Sequence, residues 1–139
     1  MATTNKSNEG ALPLAQTPCA LTHPLGLEKD LWRRVVKPHA QRAGYHCFRI
    51  ENPVYPGTPD VYACKGGYSV WIELKRMKGK VSSRQQMFMD EMREMGVPAY
   101  VIRGGRNDRH QWWIIISAYN REIVKNIELD GDVNVFDCL

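Results

Sequence analysis

Apolar residues at helical spacing mark the first element of the chain: Leu27, Leu31, Val35 and Val36 fall on one stripe between Leu25 and Ala43, and Gly44 supplies a stop. Pro38 sits inside that run. A mid-helix proline removes one hydrogen bond and crowds the preceding turn, so the helix is expected to kink there or divide into a helix and a short turn. Tyr45 to Glu51 then reads as a strand, and Asn52, Pro53, Pro56 and Gly57 as a loop. Thr58 to Lys65 and Tyr68 to Lys75 are two strand-like runs joined by Gly66-Gly67, a pair suited to the positive φ angles of a two-residue hairpin turn.

Arg76 to Val81 is a basic connector. Ser82 to Met95 is a helix with Phe88, Met92 and Met95 on one stripe and Gly96 as its stop. Val97 to Arg103 and Gln111 to Ser117 read as strands around a polar loop, Gly104 to His110, and Ala118 to Lys125 reads as a short helix before an acidic tail that the pattern does not assign. Residues Met1 to His23, rich in Thr, Asn, Ser, Ala and Pro without a period, read as a flexible arm, leaving residues 24–139 as a single domain. The order of elements is helix, three strands, helix, strand, then a further strand.

The hairpin gives this pattern its chemistry. With Gly66 and Gly67 as the turn, Lys65 pairs with Tyr68, and the same ladder brings Asp60 directly opposite Glu73. Paired residues share a face, and Lys75, two places beyond Glu73, joins them. Val61, Ala63, Val70, Ile72 and Leu74 take the opposite face, where burial would hold the register. Two carboxylates roughly 5 Å apart favour a shared divalent cation, and hard oxygen donors suit Mg²⁺ or Mn²⁺ better than zinc. Without further context the same trio would be an ordinary surface ion pair with a solvated neighbour.

Composition changes this picture little. The 139 residues suit one compact domain, and a hydrophobic share of 43% with a charged share of 24% belongs to ordinary soluble proteins. The net charge of +4 permits a polyanionic partner without requiring one. Cys19, Cys47, Cys64 and Cys138 show no paired spacing, which points away from a zinc cluster or a disulfide framework and toward a reducing, intracellular setting. No apolar run is long enough to cross a membrane, and the start of the chain lacks a signal-peptide core.

Context for the trio comes from its neighbours in sequence. Pro59-Asp60, followed after the hairpin by Glu73-Leu74-Lys75, resembles the PD-(D/E)xK nuclease signature. Gly57-Thr58-Pro59-Asp60-Val61, Trp71-Ile72-Glu73-Leu74-Lys75, Lys80-Val81-Ser82-Ser83-Arg84-Gln85 and Gly96-Val97-Pro98-Ala99-Tyr100 are similar in order and spacing to the VRR-NUC branch, including its small stand-alone phage members. The resemblance spans roughly Leu27 to Arg103. It implies a restriction-endonuclease-like α/β fold with an αβββαβ core, a mixed central sheet flanked by helices.

It further implies that Asp60, Glu73 and the backbone carbonyl of Leu74 hold Mg²⁺ or Mn²⁺, that Lys75 serves the nucleophilic water, and that Glu28 on the first helix joins the metal site. Gln85 would be the family's helix glutamine beside the site, although Ser82-x-x-Gln85 is also a helix capping box. Lys78, Lys80 and Arg84, with Arg76, cluster where a substrate backbone would pass, or form a solvated face. Arg103, Arg106 and Arg109 form a second contact surface or solubilise a loop. His23, His39, His46 and His110 stand apart from one another and read as structural or surface residues. Trp112 and Trp113 suit core packing or a subunit interface better than base stacking.

The resulting expectation is an endodeoxyribonuclease acting on branched, flapped or junction DNA, paired as a homodimer and working in the cytoplasm, of the host if phage-encoded. The alternative is a non-catalytic nucleic-acid- or protein-binding module on the same fold, and DNA is not distinguished from RNA.

Overall fold

A computed structural model describes residues 27–51, 54–118 and 120–139. The arm expected over residues 1–23 lies outside them. The first helical segment comprises α1 (Leu27–Leu31), a π-helical turn (Trp32–Val36) and α2 (Lys37–Arg42), all in helical backbone. The turn is the answer to Pro38. Lys37 donates its N–H to the Trp32 carbonyl, five residues back, and Pro38 then falls in the first turn of α2, where its missing N–H is tolerated. The wider turn also brings both Val35 and Val36 to the buried side, with Leu31 before them and Ala40 after.

One sheet of six strands follows: β1 (His46–Arg49), β2 (Val61–Lys65), β3 (Tyr68–Arg76), β4 (Ala99–Arg106), β5 (Trp112–Ala118) and β6 (Ile123–Glu128). The spatial order is the chain order. Every neighbouring pair is antiparallel except β3 and β4, which run parallel across the connecting helix α3 (Ser83–Glu94). The mixed α/β sheet flanked by helices and the αβββαβ order are therefore as expected, and Lys65 pairs with Tyr68 as the Gly66-Gly67 turn requires.

Each face of the sheet has its own core. Val61, Ala63, Val70, Ile72 and Leu74 are fully buried against Leu31, Val35, Val36 and Ala40, together with Ile102, Ile114 and Ile116. On the other face α3 covers Ala99 and Val101 with Met89, flanked by Trp71, Val81 and Met92.

Four sequence readings need correction. The strand expected from Thr58 begins at Val61, because Pro59 lacks the N–H a ladder needs. The loop expected from Gly104 begins later, since β4 runs on to Arg106. The short helix expected over 118–125 is instead a turn leading into β6. On α3 the buried methionine is Met89, whereas Met95, assigned to the apolar stripe, is 67% exposed at the C-cap.

The C-terminal segment closes over α2 as a 3₁₀ turn, Val135–Cys138, with Val135 and Phe136 buried. Val135 donates its N–H to His39 Nδ1 at 3.0 Å, and Asn134 Nδ2 donates to the His39 carbonyl at 3.0 Å. Burial, and secondarily Arg42, lower the His39 pKa. A lowered folded-state pKa means that the folded protein resists protonation more than the unfolded chain does. The His39 contribution is thus present above about pH 6.5 and lost as pH falls through the depressed folded value. His39→Asn, which keeps an acceptor near the Nδ1 position, should flatten this acid-side loss. His39→Ala should cost about 1–3 kcal/mol at neutral pH by orphaning the Val135 N–H. Thermal unfolding of the three proteins between pH 5 and 8 reads both effects, and an unchanged acid limb in His39→Asn would remove His39 from the account.

Candidate active site

Asp60 lies at the last position before β2, one step beyond the Val61–Ile72 pair, and so at the level of Glu73. Its backbone carbonyl accepts from the Ile50 N–H at 2.7 Å, while its side-chain Oδ2 accepts from the Leu74 N–H at 2.9 Å. A carboxylate oxygen stands where the next strand residue's carbonyl would have continued the ladder. The N–H and C=O of one strand residue point to the same side. The Leu74 carbonyl therefore emerges at the edge that Asp60 occupies.

Glu73 sits in the middle of β3 on the face covered by α3, only 1% exposed. Its Oε2 accepts from Gln85 Nε2 at 2.7 Å and faces Lys75 Nζ at 3.4 Å. No donor among the described residues reaches Oε1. Burial, and then the adjacent Asp60 carboxylate, push the Glu73 carboxyl up to about 8, with Lys75 opposing the shift. A buried acid held this far from its ordinary value, beside a second acid and a lysine, is a demanding arrangement to retain for stability alone.

Helix α3 explains the position of Gln85. Ser82 caps α3 with its side chain accepting from the Gln85 N–H at 3.1 Å, and Gln85 Oε1 accepts in return from the Ser82 N–H at 2.9 Å. Gln85, Met89 and Met92 lie on one helical face, directed at the sheet. The glutamine carbonyl oxygen thus anchors the helix start while its amide nitrogen holds Glu73. The capping and site readings coexist in one side chain.

Two hard carboxylates, one with an unmatched buried oxygen, plus a strand carbonyl at the same edge make a donor set that suits Mg²⁺ or Mn²⁺, which commonly take one or two protein carboxylates and complete their shell with water and substrate oxygens. Among the described residues no three His, Cys, Asp or Glu side chains converge on one point. Glu28 is half-buried in the first turn of α1 and makes no hydrogen bond or ion pair with Asp60 or Glu73, so the structure does not bring it into their group.

The basic residues divide. Lys80 and Arg84 lie on opposite sides of the start of α3: Lys80 borders a cleft with Arg103 and Arg121, and Arg84 borders a groove with Tyr55 and Phe88. Lys78 is exposed in the turn after β3. Arg109 pairs with Glu128 at 2.9 Å, and Arg106 covers the Trp112 ring, so neither stands with Arg103 as a common surface. Trp112 packs at the margin of the main core. Arg103 is the cation that sequence reasoning places least well. It is opposite Lys75 in the parallel register, and its Nε and Nη2 donate to the Gly79 carbonyl at 3.3 and 3.2 Å. Its position two residues after buried Val101 in a strand is the available signal.

The sequence marks Gly57 as a loop former at the head of the Pro59-Asp60 motif, with no sign of what it packs against. A Cβ there would lie 2.7 Å from the Arg84 carbonyl oxygen, and its φ is +94°. The loop that delivers Pro59 and Asp60 is seated directly on the backbone of α3.

No protein-family model and no curated protein matches this chain. Among solved structures it is similar to Archaeoglobus fulgidus Hjc, a Holliday junction resolvase from an archaeal hyperthermophile, at 24% identity over 78% of this chain and 89% of that chain, with a TM-score of 0.47.

Proposed function

We propose that this chain is a Mg²⁺- or Mn²⁺-dependent endodeoxyribonuclease that hydrolyses phosphodiester bonds, with branched, flapped or junction DNA as preferred substrates and a homodimer as its working form. The observation that carries the reading is the paired carboxylates of Asp60 and Glu73, with Lys75 at 3.4 Å from Glu73 and the Glu73 Oε1 left without a donor among the described residues. The sequence resemblance to VRR-NUC nucleases supports the substrate class.

Asp60, Glu73 and the Leu74 carbonyl are the groups that would hold the cation, which when bound supplies charge neutralisation at the phosphoryl oxygens and acidifies a water. Glu73 must shed its proton to take part, and Lys75 favours that loss. In this reading the Lys75 ammonium, 16% exposed and 3.4 Å from Glu73, would donate to the attacking water or to a non-bridging oxygen. Gln85 keeps Glu73 from rotating, through the Nε2–Oε2 hydrogen bond. Leu74 N–H does the same for Asp60.

The test is cleavage of labelled linear, single-stranded, flapped and four-way-junction DNA with Mg²⁺ or Mn²⁺, beside folded Asp60→Asn and Lys75→Met proteins. Cutting that both substitutions abolish supports the reading and ranks the substrates. Absence of metal-dependent cutting of any DNA or RNA overturns it in favour of a non-catalytic binding module.

Ser82 and Gln85 separate anchoring from catalysis. Ser82→Ala should lower stability by about 1 kcal/mol and leave cleavage nearly intact, because it removes the cap alone. Gln85→Ala should lower stability by a similar amount and slow cleavage about tenfold or more, an effect of over 1.4 kcal/mol on the barrier. Equal cleavage rates for the two variants would reduce Gln85 to a capping residue.

A further inference from the structure

Glu73, Val101 and Ser117 form one row across β3, β4 and β5, all on the face covered by α3. Ser117 therefore lies about 10 Å from Glu73, two strand spacings along the sheet. At that point the pairing of β5 with β6 shifts register: Ile116 faces Lys125 and Ser117 faces Ile123, which leaves Val124 of β6 as the extra residue of a bulge. A cleft of about 320 Å³ opens there, bordered by Lys80, Gln86, Val101, Arg103, Ser117 and Arg121.

Its charge is one-sided: the described residues on its walls include three cations and no carboxylate. Lys80 and Arg121 side chains form no ion pair or hydrogen bond with any described residue. Arg103 directs Nε and Nη2 at one carbonyl, Gly79, which leaves three of its five N–H donors for another acceptor. Arg121 holds φ at +71°, unusual for a residue with a side chain, in a turn closed by its N–H to the Ala118 carbonyl at 2.9 Å. Three cations lining one cleft, two of them without a partner among the described residues and the third with donors to spare, describe a receptor for an anion.

We propose that this cleft is a second phosphate subsite: Lys80, Arg103 and Arg121 hold a backbone phosphate of the nucleic-acid strand whose scissile phosphate lies at Asp60 and Glu73. The location of the scissile phosphate rests on the nuclease reading, but the anion site itself does not. The cleft is on the same face as Glu73, and its volume of about 320 Å³ admits a phosphate with its sugar. Its role is to fix the register of the strand, since phosphate contacts position and do not read sequence.

The experiment is fluorescence anisotropy of labelled single-stranded and four-way-junction DNA with the full chain in EDTA, over a range of salt. The double variant Lys80→Ala/Arg121→Gly relieves the φ strain at 121 and so is a mild change to the fold. Lys125→Ala on β6 is the control for charge alone. The double variant should bind about tenfold or more weakly near 0.1 M salt, with a log–log salt slope shallower by about two, and the control should match the native protein to within the loss of one distant charge. Replacing individual phosphates by neutral methylphosphonates should weaken binding to the native protein at one position on the strand, and not to the double variant. Equal affinity and slope for native and double variant overturn the subsite, even if Asp60-dependent cutting is found. Cleft-dependent binding without cutting would uphold the subsite and overturn the catalytic reading. Failure of the native protein to bind DNA overturns the subsite as proposed.

Discussion

Glu73→Gln is expected to abolish cleavage and, in the absence of metal, to raise the unfolding temperature at pH 8 to 9. The first effect follows from losing a charged oxygen donor where charge neutralisation is worth several kcal/mol, so a fall of roughly 10³-fold or more is expected. The second follows from linkage. The Glu73 carboxyl rises from an ordinary 4.5 to about 8 in the folded chain, so the folded state holds a proton that the unfolded state releases. Its contribution to stability is complete below pH 4.5 and disappears as pH rises through 8. The amide, which never ionises, avoids that loss and can still accept from Gln85. The gain is on the order of a few kcal/mol above pH 8 and vanishes toward pH 4.5. Thermal unfolding in EDTA at pH 4.5, 7 and 8.5 measures it. Coincident curves for native and variant at every pH would show that Glu73 is not held protonated. Mg²⁺ should raise the native unfolding temperature more at pH 8.5 than at pH 6, because cation and proton compete for the same carboxyl.

Gly57→Ala should be the most disruptive single-methyl change in the site. A Cβ at 2.7 Å from the Arg84 carbonyl oxygen meets helix backbone, which has no rotamer to move into, and the φ of +94° is strained for alanine regardless of space. The backbone penalty alone is about 1–3 kcal/mol, and the clash adds to it. Relief requires the loop to lift from α3, and Asp60 is three residues further on. Stability and cleavage should therefore fall together. Gly66→Ala provides the contrast, since φ is +54° there but nothing lies within 4 Å of the added methyl. It should lose about 1 kcal/mol and keep its cleavage rate. If both variants cut at the native rate, the loop does not set the position of Asp60.

What can be read in the sequence depends on whether a local rule and the tertiary environment agree. The Gly66-Gly67 turn leaves one register for the hairpin, so the juxtaposition of Asp60 and Glu73 is legible from the turn and the residue count alone. The capping box likewise marks the start of α3. The phase of α3 is harder to read because Gln85, a polar residue, begins its buried face, and counting only apolar residues shifts the stripe to Met95. Gly104 and Gly105 look like loop glycines. Inside β4, Gly104 instead admits Leu31, whose Cδ1 would lie 2.7 Å from an added Cβ. The segment that forms β6 carries Ile123, Val124 and Ile127 at spacings a helix also shows, and as an edge strand it exposes the first three of its residues. Only pairing with β5 decides it. Glu28 has no local partner that could place it, and the cleft at Lys80, Arg103 and Arg121 joins residues far apart in sequence.

The strand order has a consequence for how the molecule is made. Because each strand lies beside its predecessor, the sheet can grow from β1 to β6 as the chain leaves the ribosome, and no strand has to insert between two already paired. The two carboxylates belong to a hairpin closed by a two-residue turn, whose contacts are local and quick to form. The reactive pair can be assembled while α3 is still being synthesised. Gln85 and the seat for Gly57 come with that helix, so a nascent chain would carry its acids early and gain the means to orient them only later.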